Sequence, residues 1–193
     1  MIHVISPRDK PPEDAVVINT TSRSNNWSRS LSPFFLGPVD LYAGHKSQNI
    51  ENAWQYSKVY EYYLEEDGSV GERYFNWAKD GWNSTRANRY PMGKDARPLY
   101  SYWDGEKLSY VEARKKIYVP LYAKAVKQTF AFEKLKKMHE EGQDLYLWDF
   151  DGYDHKACSL TFDQVINDPN RKMGHAFVIA MLLEGFLKND DHR

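Results

Sequence analysis

The 193-residue chain contains a single cysteine, Cys158. One cysteine excludes an intramolecular disulfide and a cysteine cluster for a metal, and it agrees with a reducing compartment. Long apolar runs are missing too. The longest, Ala176 to Leu183, falls far short of the ~20 residues a spanning helix needs, and no signal-peptide pattern opens the chain. The reading is a soluble, cytoplasmic protein with no membrane partner. Charge of one sign is not in excess either: 26 Lys and Arg stand against 27 Asp and Glu, a formal net charge of −1. The bulk balance therefore announces neither a polyanion nor an acidic membrane as standing partner. There is no internal repeat, no Gly-rich phosphate cradle, and no metal-ligand spacing among His45, His139, His155 and His175. No metal and no cofactor are expected.

Aromatic residues, in contrast, are abundant. Six Trp and fourteen Tyr supply core area and also flat surfaces on which a base or sugar can stack. The length fits one domain able to bury a core without staples. Met1 to Asp14 reads as an extended lead-in after a short strand at 2–5, and Val16-Val17-Ile18 as a buried strand entering the hydroxyl-rich loop 19–22. Arg23 and Arg29 there suit phosphate oxygens, although the same loop residues also serve turns and caps. Residues 48–60 carry helical periodicity, which would place Glu51, Gln55 and Lys58 on one flank beside an apolar face. From Asp67 to Trp103, Gly and Pro break the pattern into short helices and loops. Ser109 with Glu112 matches a capping box opening a long helix, which Pro120 should kink or divide. Leu145 to Trp148 reads as a buried strand delivering Asp149-Phe150-Asp151-Gly152, and Met173 to Leu187 as a final apolar helix. The fold class is α+β: a predominantly helical single domain, residues 1–193, with a few short strands.

Asp149-Phe150-Asp151-Gly152 matches the Asp-x-Asp-Gly signature of haloacid-dehalogenase-type phosphatases, but too little chain follows it for that fold. A broader set of motifs resembles the NADAR, or YbiA-like, family. Leu31-Ser32-Pro33-Phe34-Phe35 precedes Glu51, Gln55 and Lys58 at the spacing Glu-x-x-x-Gln-x-x-Lys. Met92-Gly93-Lys94 leads through Arg97, Pro98 and Leu99 to Trp103, and Asn170-Arg171-Lys172-Met173-Gly174 follows the acidic strand end. The family's Trp-Gly-x-Gly is absent, replaced by Asp151-Gly152-Tyr153-Asp154-His155, and the chain after Trp103 holds an insertion through Lys107.

The resemblance implies a divergent YbiA-like N-glycosidase that cuts a ribosyl C–N bond in an ADP-ribose-linked or ribosylamino substrate, with ADP-ribosylated guanine in nucleic acid as one form. Cleavage builds positive charge on the ribose, so Glu51 would stabilise it as a carboxylate. Trp103 would be the wall for the leaving base, and Asp149, Asp151 or Asp154 the second carboxylate. Gln55, Lys58, Arg97, Arg23, Asn170 and Gly174 are the matching substrate-binding positions. The expected site is a cleft between the Glu51 helix and the Asp149 strand end. The alternative is a module that binds ADP-ribose or a nucleotide without turning it over.

Overall fold

The computed structural model describes residues 1–188. In chain order the strands and helices are β1 (Ile2–Ile5), β2 (Val16–Asn19), β3 (Val39–Asp40), β4 (Lys46–Ser47), α1 (Ile50–Gln55), β5 (Lys58–Val59), α2 (Glu72–Asn83), β6 (Tyr100–Trp103), β7 (Glu106–Leu108), α3 (Tyr110–Ala113), α4 (Val119–Val126), α5 (Phe130–Glu140), β8 (Leu145–Trp148), α6 (Phe162–Asn167) and α7 (His175–Leu183), with a π turn at Arg114–Tyr118 between α3 and α4. Helices and short strands are thus mixed, and none of the helices among the described residues is long and apolar enough to cross a membrane. The chain divides into two compact units, residues 1–32 with 122–193, and residues 33–121.

In the first unit, β8 lies between β1 and β2 and pairs with both in parallel, Leu145 standing opposite Ile2 and Val16. The apolar alternation of β8 explains its central place: Leu145 and Leu147 are fully buried. Helix α7 is buried from His175 to Leu182, and packs on β1 and α5. A helix apolar all round is a core helix. Its observed span is shorter at both ends than the sequence pattern suggested. Gly142 closes the turn after α5 with φ +84°, a left-handed conformation that glycine adopts without strain.

The second unit carries the hairpin β3–β4 and the antiparallel sheet β5-β6-β7. Two expectations need correction here. The helix at 48–60 ends at Gln55. Ser57 returns its hydroxyl to the Trp54 carbonyl at 2.7 Å, and Lys58 and Val59 join the sheet opposite Ser101 and Tyr100. Residues 72–83 form a 12-residue helix instead of broken pieces. Gly81, read as a breaker, is there for close approach: a Cβ on it would stand 2.2 Å from the Tyr56 ring. The capping box of Ser109 and Glu112 is present. Pro120 falls in the first turn of α4, directly after the π turn, so the chain continues helical through it. A widened turn relieves the clash that a proline ring makes with the carbonyl four residues back. Thr129 then caps a separate helix, α5.

Candidate functional site

Helix α1 is short and fixed at both ends. Asn49 caps it by accepting from the Asn52 amide at 2.8 Å. Fully buried Asn52 donates to the carbonyls of Gly81, Ser84 and Arg86 at 3.0, 3.2 and 3.0 Å and accepts from the Asn88 amide at 2.8 Å. A side-chain amide so engaged holds the helix against the loop that follows α2. Glu51, only 6% exposed, is thereby held inside the protein.

Gln55 Nε2 donates to Glu51 Oε1 at 2.9 Å, and Lys58 Nζ donates to Gln55 Oε1 at 2.8 Å. The direction of this chain matters: the ammonium polarises the Gln55 amide, whose N–H end then meets an oxygen of Glu51 that accepts. The arrangement favours Glu51 as a carboxylate. Lys58 Nζ also lies 5.3 Å from the centre of the Trp54 ring, which is near Tyr118 (5.3 Å) and Tyr110 (6.3 Å). Trp103 and Trp54 both pack against the cluster of Leu108, Ala113 and Ile117. The Trp103 ring meets Tyr42 edge-on at 4.8 Å. Burial, then the charges of Tyr102 and Asp104, raises the Tyr42 phenol well above its ordinary value.

The structure therefore brings Glu51, Gln55 and Lys58 into one hydrogen-bonded chain, with Lys58 over Trp54, and packs Trp103 against the same apolar cluster as Trp54. Arg97 belongs to the same unit but is exposed in the loop before β6.

The remaining candidates fall in the first unit. Asp149 follows β8 and is buried; its Oδ2 stands 3.1 Å from His175 Nδ1 and accepts from the Ala176 amide at 3.0 Å, while its Oδ1 accepts from the Asp151 amide at 3.2 Å. His175 Nε2 lies 2.8 Å from the Thr20 carbonyl and 2.9 Å from Thr20 Oγ1. Asp, His and Thr in this order look like a nucleophile triad, and the hydrogen bonds decide against it. A carbonyl oxygen only accepts, so Nε2 carries a proton, and the Thr20 hydroxyl donates to the Trp148 carbonyl at 3.0 Å. With Nε2 turned to the Thr20 carbonyl and the Thr20 hydroxyl donating to the Trp148 carbonyl, the ring is not placed to take a proton from Thr20. Gly174 is part of the fit: a Cβ there would stand 2.2 Å from Asp149 Oδ2. This explains the glycine by carboxylate packing. Tyr122, buried and donating to the Leu31 carbonyl at 2.6 Å, has its phenol pushed well up by burial and then by the Asp149 charge.

Asp154 accepts from the Lys156 and Ala157 amides at 3.1 Å each and stands 3.5 Å from His3 Nδ1. Asp151 is half-buried. Exposed Arg23 lies over Phe150 at 5.0 Å, and exposed Asn170 donates its amide to Asp168 at 2.8 Å.

Among the described residues no group of three or more His, Cys, Asp or Glu side chains could hold a metal ion.

Sequence reasoning missed Arg114 and His175. Arg114 is 2% exposed, with its guanidinium 4.6 Å over the Tyr110 ring. A signal existed, since Arg114 stands four residues from both Tyr110 and Tyr118, on the apolar stripe of its helix. His175 is the one polar residue of α7.

These features define a mixed α/β protein in which each unit holds a buried polar network around a carboxyl group. The chain belongs to DUF6939, a family of unknown function, matching it over residues 7–179. No curated protein and no solved structure matches the chain.

Proposed function

We propose that the protein is an N-glycosidase hydrolysing a ribosyl C–N bond in an ADP-ribose-linked or ribosylamino substrate. The observation that carries this reading is the Lys58–Gln55–Glu51 chain, in which a buried carboxyl group accepts from an amide that in turn accepts from an ammonium lying over Trp54. A carboxylate so held stabilises a ribose moving toward an oxocarbenium ion more than it stabilises the ground state. One water is consumed: its hydroxyl goes to the ribose carbon and a proton to the departing nitrogen, with Glu51 placed to orient the water. Because the amide-relayed lysine charge acts on the carboxylate from behind, neutralising Glu51 removes the effect without changing the shape of the site.

The experiment is incubation of the purified protein with ADP-ribosylated guanine in DNA and with a ribosylamino-pyrimidine phosphate, reading free ADP-ribose or ribose 5-phosphate by mass spectrometry. Product release that falls by roughly a hundredfold or more in Glu51→Gln is expected, the order of losing one electrostatic stabiliser. Release from neither substrate, or undiminished release in that variant, overturns the reading. One observation favours a pure binding module instead: both oxygens of Asp149 are engaged in structural hydrogen bonds, which removes it as an acid for the leaving group. A binder holds ADP-ribose and forms no product.

A further inference from the structure

We propose that the cleft between α5 and the end of α7 binds a small zwitterion with an apolar body, the chemistry of a free amino acid that carries an apolar side chain. The carboxylate meets Lys136 and His139, the ammonium meets Glu140 and the carbonyl end of α7, and the side chain lies on Phe132 and Leu183, all of which line the cleft. The site belongs wholly to the first unit and is independent of the glycosidase reading.

The cleft has a volume of about 310 Å³. That lies at the small end of the roughly 300–1,000 Å³ of small-molecule sites. Its floor is apolar: Phe132 and Leu182 are each 5% exposed, and half-buried Leu183 lines it with them. His139 is half-buried at the same cleft, and its Nδ1 is sealed from solvent with no hydrogen-bond partner among the described residues. A sealed polar atom without a partner is uncommon and costs stability. With no acceptor for a proton on Nδ1, the neutral ring keeps its proton on Nε2, and that N–H is the donor the ring offers to a ligand.

The charges at the rim do little for the helix that carries them. Glu133, Lys136 and Glu140 line the cleft at spacings of three and four, which could pair them along α5, yet no ion pair joins them among the described residues. The ion pair along this helix is instead Lys137 with Glu141, at 3.9 Å. Lysine before glutamate is the weaker order for such a pair, and Glu140, the last residue of α5, is a carboxylate where the macrodipole opposes one. Helix stability therefore does not account for it. Helix α7 also ends here: Leu183 is its last residue, and Gly185 turns the chain with φ +75°. The carbonyl end of that helix adds partial negative charge, which favours an ammonium. A plain carboxylate would face the acids Glu133 and Glu140, and a plain amine would face Lys136. A molecule with both charges escapes either repulsion, and the apolar floor takes its side chain.

The test is calorimetric titration of the full-length protein with L-leucine and L-phenylalanine. Three controls accompany them: 4-methylpentanoate, which is leucine without its ammonium, 3-methylbutylamine, which is leucine without its carboxylate, and L-serine, which lacks the apolar body. At least one of the two apolar amino acids is expected to bind more tightly than every control, by roughly tenfold or more, the order of one lost charge-assisted hydrogen bond. Lys136→Met and Glu140→Gln change exposed side chains and should leave folding intact, and each should weaken that amino acid by about the same factor. Binding should also move the His139 ring resonances in NMR spectra, identified by their absence in His139→Gln. A control that binds as tightly as the amino acids overturns the zwitterion. Absence of binding by both leucine and phenylalanine overturns the site, and so does binding that neither variant weakens and that leaves the His139 resonances in place. Turnover of the glycosidase substrates enters none of these outcomes.

Discussion

The two buried carboxylates have been put to opposite uses. Asp149 is closed in: two backbone amides and an imidazole ring meet its oxygens, Gly174 leaves it just enough room, and the ring behind it ends on a backbone carbonyl. Glu51 belongs to a chain that runs outward through an amide to half-buried Lys58, alongside rings that reach solvent. A network that ends on main-chain groups rigidifies the protein, whereas one built of side chains and passing through a half-buried ammonium can rearrange around a ligand. The same functional group, a carboxyl at two buried positions, is thus a fastener in one unit and a candidate reagent in the other.

The largest effect should come from breaking the fastener. Asp149→Ala leaves His175 and the Ala176 amide buried without their acceptor, at about 1–3 kcal/mol for each buried donor left unpaired. Against a typical domain stability of roughly 5–15 kcal/mol, that is a large share. The urea midpoint should drop accordingly, and Gly174→Ala should lower it in the same direction by displacing the carboxylate. Glu51→Gln should show the reverse pattern, with product formation lost and the urea midpoint nearly unmoved. If Asp149→Ala kept the midpoint and lost turnover, the contrast between the two carboxylates would collapse.

How far the sequence carried this contrast depends on the range of the interactions. Glu51, Gln55 and Lys58 were legible together because four- and three-residue spacings bring them close in a helix, and the contacts survive although Lys58 in fact sits on β5. The strand Leu145–Trp148 was legible from its apolar run. What could not be read locally was what pairs with it: β8 lies between β1 and β2, each more than 120 residues earlier, and the partner of Asp149 is His175. Gly81 misled for a related reason, because the Tyr56 ring that requires it comes from another element. The fine point that the α1 pattern stops at Gln55 is a competition between helix and sheet, which periodicity alone does not arbitrate.

A smaller effect, a response to pH, is shared by the two units. His155 in the first unit is buried against Phe162 and next to Lys156, and burial followed by that lysine charge lowers its pKa below 6.5. His45 in the second unit is lowered too, by burial and then by Lys79. A base whose folded pKa is depressed takes up its proton more readily when unfolded. Its contribution is therefore complete above the unfolded value of about 6.5 and is lost as pH falls through the lower folded value. The urea midpoint should stay level near neutrality and decline below about pH 6.5. His155→Gln and His45→Gln should each remove part of that decline, and a slope unaltered in both variants would contradict the assignment.

The mildest substitution, Trp103→Phe, set against Trp103→Ala, tests whether the aromatic shell of the second unit touches the ligand or only supports the fold. Trp103 shares the Leu108–Ala113–Ile117 cluster with Trp54 and meets Tyr42 edge-on. If its face also serves the leaving base, Trp103→Phe keeps a smaller stacking surface, and Trp103→Ala opens a gap and loses it. Turnover should then fall slightly in the phenylalanine variant and much further in the alanine variant, with ligand affinity following the same order. A purely supporting role gives a different split. Stability would drop in the alanine variant through the cavity it creates, by about 3–5 kcal/mol, while the affinity of the folded fraction stayed near native. Measuring affinity and urea midpoint on the same two variants distinguishes these outcomes, because a stacking wall moves both quantities and a core tryptophan moves only the second.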